Sequence, residues 1–203
     1  MLITGSQPSP CDNPLGDNFL LKSMKNKLDY CRLHGLEIFY NTALLDDQMS
    51  GFWAKLPLLR RMMLTHPQVE WFWWMDSDAL FTDMAFEIPL QRYDSYNLVL
   101  HGWEDMVYKE KNWVGLNMGS FLIRNCQWSL DLLDAWANFE ADDRSALVHL
   151  LAMHKQAWGD KVFMENSYYL HGSSSTLVDK YEDRMVKSHN GSGDHRWPFI
   201  THF

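Results

Sequence analysis

The run Trp71-Phe72-Trp73-Trp74-Met75, followed at once by Asp76-Ser77-Asp78, constrains this chain more than any other segment. Extended, its apolar side chains alternate between both faces of a sheet, so both faces need cover and the segment belongs in the middle of a sheet. The run ends in two carboxylates. In extended backbone Asp76 and Asp78 point to one side and Ser77 to the other. A buried strand that runs out into such a turn puts it at the carboxyl end of a sheet, where open α/β folds bind ligands. Two carboxylates about 4 Å apart repel by roughly 4 kcal/mol at an effective dielectric near 20, a penalty that a divalent cation reverses. Oxygen ligands suit Mn²⁺ or Mg²⁺, ions that usually share their coordination with substrate phosphates. Asp and Ser also open ordinary solvated turns, and the apolar lead-in is what weighs against that reading here.

The remaining pattern fits one α/β domain over residues 1–203 with a mainly parallel central sheet flanked by helices. Residues 2–6 read as the end of a buried strand entering a turn. Further strands are expected at 36–40, 70–75, 96–101, 119–124 and 161–164, and helices at 18–33, 52–65, 127–137 and 142–155. In the first helix Leu20, Met24, Leu28 and Cys31 form one apolar stripe, with Lys22, Lys25, Asn26 and Asp29 off it. Gly35 ends it. The Gly- and Ser-rich stretch 189–194 reads as a loop.

Composition narrows the function. A net charge of −8 provides no basic footprint for nucleic acid. An anionic small molecule is still accessible to such a chain through a cation or a few local Lys residues. Ten Trp, eight Tyr and eleven Phe suit a packed core and also suit the flat faces of sugar rings. Cys11, Cys31 and Cys126 are odd in number and widely spaced, so neither a disulfide framework nor a zinc set is indicated. Asn190-Gly191-Ser192 matches a short glycosylation sequon. No run of about 18 apolar residues occurs, so the chain as it stands is expected to be soluble, with any anchor outside it.

An acidic pair at this spacing also occurs in phosphatases of the haloacid dehalogenase type, but Asp78-Ala79-Leu80-Phe81 lacks their Gly-containing turn and does not follow the first strand. A different resemblance runs along nearly the whole chain. Lys55-Leu56-Pro57-Leu58, Trp74-Met75-Asp76-Ser77-Asp78-Ala79, His101-Gly102-Trp103, Leu116-Asn117-Met118-Gly119-Ser120-Phe121, Trp128-Ser129-Leu130-Asp131-Leu132-Leu133-Asp134 and Thr201-His202-Phe203 resemble the plant xyloglucan xylosyltransferase and galactomannan galactosyltransferase family. Gly51-Phe52-Trp53-Ala54 and Gly193-Asp194-His195-Arg196-Trp197-Pro198 are more similar to the xylosyltransferase branch.

The resemblance implies a GT-A type nucleotide-sugar-binding fold in a membrane-anchored enzyme of the Golgi lumen. Such an enzyme moves an α-linked sugar from a UDP-sugar onto a β-1,4-glucan or mannan backbone with retention, and associates with itself or related transferases. Carried over residue by residue, Asp76, Asp78 and His202 would hold Mn²⁺ (or Mg²⁺). Thr4, Gly5 and Ser6 would admit the nucleotide closely. Lys55, Ser77, Asn117, Gly119, His171 and Gly172 would lie around the donor. Asp142 and Asp143, with Arg144 beside them, would sit at the reacting centre, although acids at a helix start also serve as caps. Retention requires either a carboxylate nucleophile or departure and attack on one face, and the sequence leaves both open.

The chain also departs from the family pattern. Arg144 stands where Gln is usual, 173–176 replace an aromatic-containing segment, and a loop of roughly two dozen residues is missing between Ala137 and Asn138, as surface loops tolerate. The chain stops at Phe203, before a Gly-Cys-Lys segment that the family carries.

Overall fold

Strand β3 (Trp71–Met75) is buried along its whole length, and its alternation divides the core in two. Phe72 and Trp74 join one apolar cluster, while Trp71, Trp73 and Met75 join another on the opposite face. The computed structural model describes residues 1–46, 49, 51–139, 142–166, 170 and 199–202, with 201 and 202 described by backbone alone. His171, Gly172, the segment 173–176, the sequon and the loop expected at 189–194 lie outside the described residues.

The other strands of the main sheet are β1 (Leu2–Gly5), β2 (Ile38–Asn41), β5 (Leu98–Gly102), β6 (Leu116–Arg124) and β7 (Val162–Glu165). Their order is β2-β1-β3-β6-β5-β7. β1 pairs in parallel with β2 and β3, and β5 with β7, but β6 runs antiparallel to both its neighbours. The sheet is therefore mixed, five strands one way and β6 the other. That reversal brings the start of β6 alongside the carboxyl end of β3.

A second sheet, not anticipated from the sequence, pairs β4 (Ala79–Phe81) with β8 (Ile200–His202). Three residues are too few to show a period, and β8 is remote in sequence.

Helices α2 (Lys55–Thr65), α3 (Gln127–Ala137) and α4 (Asp143–Met153) cover the Phe72 face, with a short α5 (Lys155–Trp158) following α4. Helix α1 (Pro14–Leu33) lies on the other face. Asn13 caps α1 by accepting from the amide of Gly16 at 3.0 Å, Pro14 opens it, and Gly35 at φ 63° supplies the left-handed residue that ends it. The expected stripe on α1 needs correction. Leu20, Met24 and Leu28 are only half-buried, and the fully buried side chains are Ser23, Lys27, Tyr30 and Cys31. The helix turns a partly polar face inward because main-chain groups of the β3–β4 turn need partners there.

Five of the ten tryptophans, Trp71, Trp73, Trp74, Trp103 and Trp136, are buried. The three cysteines are free, and no described helix is long and apolar enough to cross a membrane.

Candidate active site

A cavity of about 570 Å³ opens where β1 and β3 end and β6 begins. That volume lies in the usual range for small-molecule sites. β1 contributes Gly5 and Ser6 to its wall. A Cβ on Gly5 would stand 2.7 Å from the carbonyl oxygen of Asn41, so only glycine lets β1 and β2 keep this register to the cavity edge. Ser6 is tied down through its amide to Asn41 O at 3.0 Å and through its hydroxyl to the Tyr40 hydroxyl at 2.7 Å. Thr4 is fully buried behind them and does not reach the cavity.

Asp76, Ser77 and Asp78 line the opposite wall. Their turn is fixed on three sides. The Trp74 indole donates to Asp76 Oδ1 at 2.6 Å, so the strand residue two back aims that carboxylate. The Asp76 amide donates to Gly119 O at 2.8 Å, which joins the turn to β6. From behind, α1 grips the main chain. Ser23 Oγ donates to Ser77 O, and Lys27 Nζ donates to Ala79 O at 2.7 Å, to Ser77 O at 3.3 Å and to Ser23 Oγ at 2.6 Å. Asn26 completes the grip by donating to Phe81 O at 2.9 Å and accepting from Phe81 N at 2.8 Å.

Gly119 lines the cavity, whereas Asn117 supports it by accepting from the Gly119 amide at 2.8 Å. Lys55 and Asp143 close the floor as an ion pair at 2.6 Å, with side chains 4% and 8% exposed. The contact is one of charge rather than a directed hydrogen bond. Arg144 also faces the cavity, its guanidinium over the Trp113 ring at 5.3 Å.

The two acids expected together at the reacting centre part company. Asp143 is in the cavity wall, while Asp142 is exposed, accepts from the Ser145 amide at 2.9 Å and caps α4. Burial raises the Asp142 carboxyl, but hydrogen bonds from Ser145 and neighbouring amides outweigh it and hold the group below its ordinary value. Register places the His202 backbone opposite Ala79, one residue beyond Asp78.

The residues that sequence reasoning missed are Ser23, Asn26 and Lys27. A Ser and a Lys four apart on a helix read as solvent-facing, and only the approach of the turn gives them a buried role. Burial brings the Lys27 ammonium down to about 8, against the opposing pull of Asp78 and Asp76.

The donor chemistry of Asp76 and Asp78 fits a hard divalent cation. Both are carboxylates in one cavity wall, one of them aimed by an indole. Among the described residues no third His, Cys, Asp or Glu joins them, so the remaining positions would fall to phosphate oxygens, water or residues beyond those described.

Solved structures share this architecture at low identity. A glycosyltransferase involved in glycosylation of the major capsid of PBCV-1 superimposes with a TM-score of 0.62 at 12% identity, covering 99% of this chain and 91% of that one. Galactosyltransferase LgtC, solved with donor and acceptor sugar analogues, does so with a TM-score of 0.54 at 12% identity, over 100% of this chain and 86% of that one. The fold is that of the GT-A glycosyltransferases. The chain belongs to the galactosyl transferase GMA12/MNN10 family, whose profile matches residues 1–203. Among curated relatives, the probable xyloglucan 6-xylosyltransferase 1 of Oryza sativa subsp. indica is 59% identical over 227 positions, covering 100% of this chain and 51% of the relative. Xyloglucan 6-xylosyltransferase 2 of Arabidopsis thaliana is also 59% identical, over 100% of this chain and 49% of the relative. The chain thus spans about half the length of these relatives. Its 203 residues align over 227 positions, which accords with the missing two dozen residues read from the sequence.

Proposed function

We propose that this chain carries the donor site of a retaining glycosyltransferase that moves α-xylose from UDP-xylose onto a β-1,4-glucan backbone, the side-chain step of xyloglucan synthesis. The observation that carries the reading is the meeting, in one cavity, of the Gly5–Ser6 turn, the Asp76–Asp78 carboxylates and the Asp143–Lys55 pair. The names of the relatives supply the sugar and the backbone. Transfer of galactose to mannan, the alternative within the resemblance, has less support from those names.

In this reading Gly5 and Ser6 let the nucleotide approach the main chain closely, and Asp76 and Asp78 hold Mn²⁺ or Mg²⁺ with His202. When bound, that cation neutralises the UDP pyrophosphate as it leaves. Asp143 stands where a positively charged sugar develops, held in place by Lys55, and Arg144 on Trp113 adds a cation at the rim. Placement in the Golgi lumen behind a membrane anchor, and association with related transferases, rest on the resemblance.

A second reading is favoured by Arg144 and the missing two dozen residues: a non-catalytic partner that keeps the fold. Calorimetry with UDP, with and without Mn²⁺, tests the site, and release of UDP from UDP-xylose in the presence of cello-oligosaccharide tests the activity. Mn²⁺-dependent UDP binding with turnover is expected. Binding without turnover favours the partner reading, and no Mn²⁺-dependent binding overturns the donor-site assignment.

A further inference from the structure

We infer that Lys27 is a positioning residue for the cation site: an ammonium on α1 that sets the shape of the Asp76-Ser77-Asp78 turn from behind the cavity. The inference rests on the reading of Asp76 and Asp78 as cation ligands.

Lys27 is 1% exposed and lines no part of the cavity, so substrate does not touch it. Its three hydrogen-bond acceptors are Ser23 Oγ and the main-chain oxygens of Ser77 and Ala79, the residues that flank Asp78. None of its contacts is an ion pair with a described carboxylate. A buried ammonium that meets only neutral oxygens loses hydration without a contact ion pair in return. Holding the backbone does not require that charge. Ser23 also reaches both carbonyls as a neutral donor, with Ala79 O at 3.3 Å, and the neutral amide of Asn26 holds Phe81 at both main-chain atoms. What a cation adds is its field on Asp76 and Asp78, the two charges that act on it in turn.

Lys27 therefore does two things to the same turn. It fixes the carbonyls on either side of Asp78, which sets where that carboxylate points. It also offsets the repulsion between the two acids before any cation arrives, so the turn is preorganised. Groups that orient metal ligands from outside the ligand shell typically matter by about 10- to 100-fold in metal affinity.

The test measures binding of Mn²⁺ alone, from the free-ion signal in electron paramagnetic resonance, and then UDP affinity with and without Mn²⁺. Lys27→Met is expected to weaken Mn²⁺ binding by roughly tenfold or more while leaving Mn²⁺-independent UDP binding unchanged. Lys27→Arg, which keeps charge and donors, is expected to recover part of the loss. Ser23→Ala, a milder change to the same grip, should shift Mn²⁺ affinity in the same direction and serves as the readout if Lys27→Met does not fold. A folded Lys27→Met protein with the wild-type Mn²⁺ constant overturns the inference, as does an unchanged constant in Ser23→Ala where that is the variant read. Equal losses with and without Mn²⁺ reduce Lys27 to a fold-supporting residue and overturn it too. Failure of the wild-type chain to bind Mn²⁺ instead removes the ligand reading of Asp76 and Asp78.

Discussion

The ammonium of Lys55 and the carboxylate of Asp143 stand 2.6 Å apart with almost no solvent between them, joining the first residue of α2 to the first residue of α4 under the cavity. Two helices that share no backbone hydrogen bonds are locked at their starts by one charge pair. Removing either partner strands the other, a change that typically costs about 3–5 kcal/mol, whereas replacing both with apolar groups costs far less. Lys55→Met and Asp143→Leu are each expected to lose that much in urea denaturation, and the double variant less than either single. Additive losses in the double-mutant cycle would mean the two side chains act independently.

Asp143→Asn separates chemistry from binding. The amide keeps the shape of the side chain but not its charge, so UDP affinity should stay within a few-fold of wild type while transfer falls by about two orders of magnitude or more, as for a group acting mainly in the transition state. Parallel losses in both would assign Asp143 a structural role alone.

Asp78→Ala is expected to abolish most of the Mn²⁺ dependence of UDP binding, because Asp76 is left as one carboxylate facing the pyrophosphate. Titration of UDP at fixed Mn²⁺ decides it. A variant that keeps the wild-type dependence would take the cation away from this turn.

Asp142→Ala should behave as the loss of a helix cap. A fall of about 1 kcal/mol is expected, with UDP affinity unchanged, since the residue lies outside the cavity wall. Its carboxyl is held below its ordinary value when folded, so its contribution is present above the unfolded pKa and disappears as pH falls through the folded one. Wild type and variant should accordingly converge in thermal midpoint under acid conditions; a gap that stays constant down to full protonation contradicts the capping role.

Lys27 has linkage of the same sign at higher pH. Its folded pKa, brought from 10.5 to about 8, means that between those values the unfolded chain binds more protons than the folded one. Stability linked to this group therefore rises with pH across that window and is flat below it. Cys31, raised to about 11, and Tyr108, raised to about 12, pull the other way, so the quantity to follow is the difference between wild type and Lys27→Met. That difference should grow in favour of wild type from pH 8 to pH 10. A difference that shrinks over this range would mean the ammonium is not held against its burial.

How far the sequence could be read depended on whether a residue's neighbours were near in the chain. β3, the helix Gln127–Ala137 and the acidic turn were legible because periodicity and apolar runs are local properties. The reversed direction of β6 was not, since an apolar strand reads alike either way. β4 escaped because its partner strand lies far along the chain. Within the site, Asp76, Asp78, Lys55 and Asp143 were found from motif and resemblance, but no pattern distinguished Asp142 as cap from Asp143 as cavity residue. Lys27 was the deepest miss. A lysine is taken for a surface residue unless a partner is known, and its partners are main-chain oxygens about fifty residues away.

The turn that carries Asp78 is assembled from pieces at very different distances along the chain. Ser23 meets Ser77 across 54 residues, while Ala79 meets His202 across 123. Closing the longer loop costs only about 0.7 kcal/mol more in chain entropy, so equilibrium barely distinguishes them. Synthesis does. Every α1 contact to the turn is available once Phe81 has left the ribosome, some 120 residues before β8 exists. The rear support of the acidic turn is thus encoded early in translation and its flanking strand late, and among the described strands the last pairing to become available is the one that sets the His202 backbone beside it.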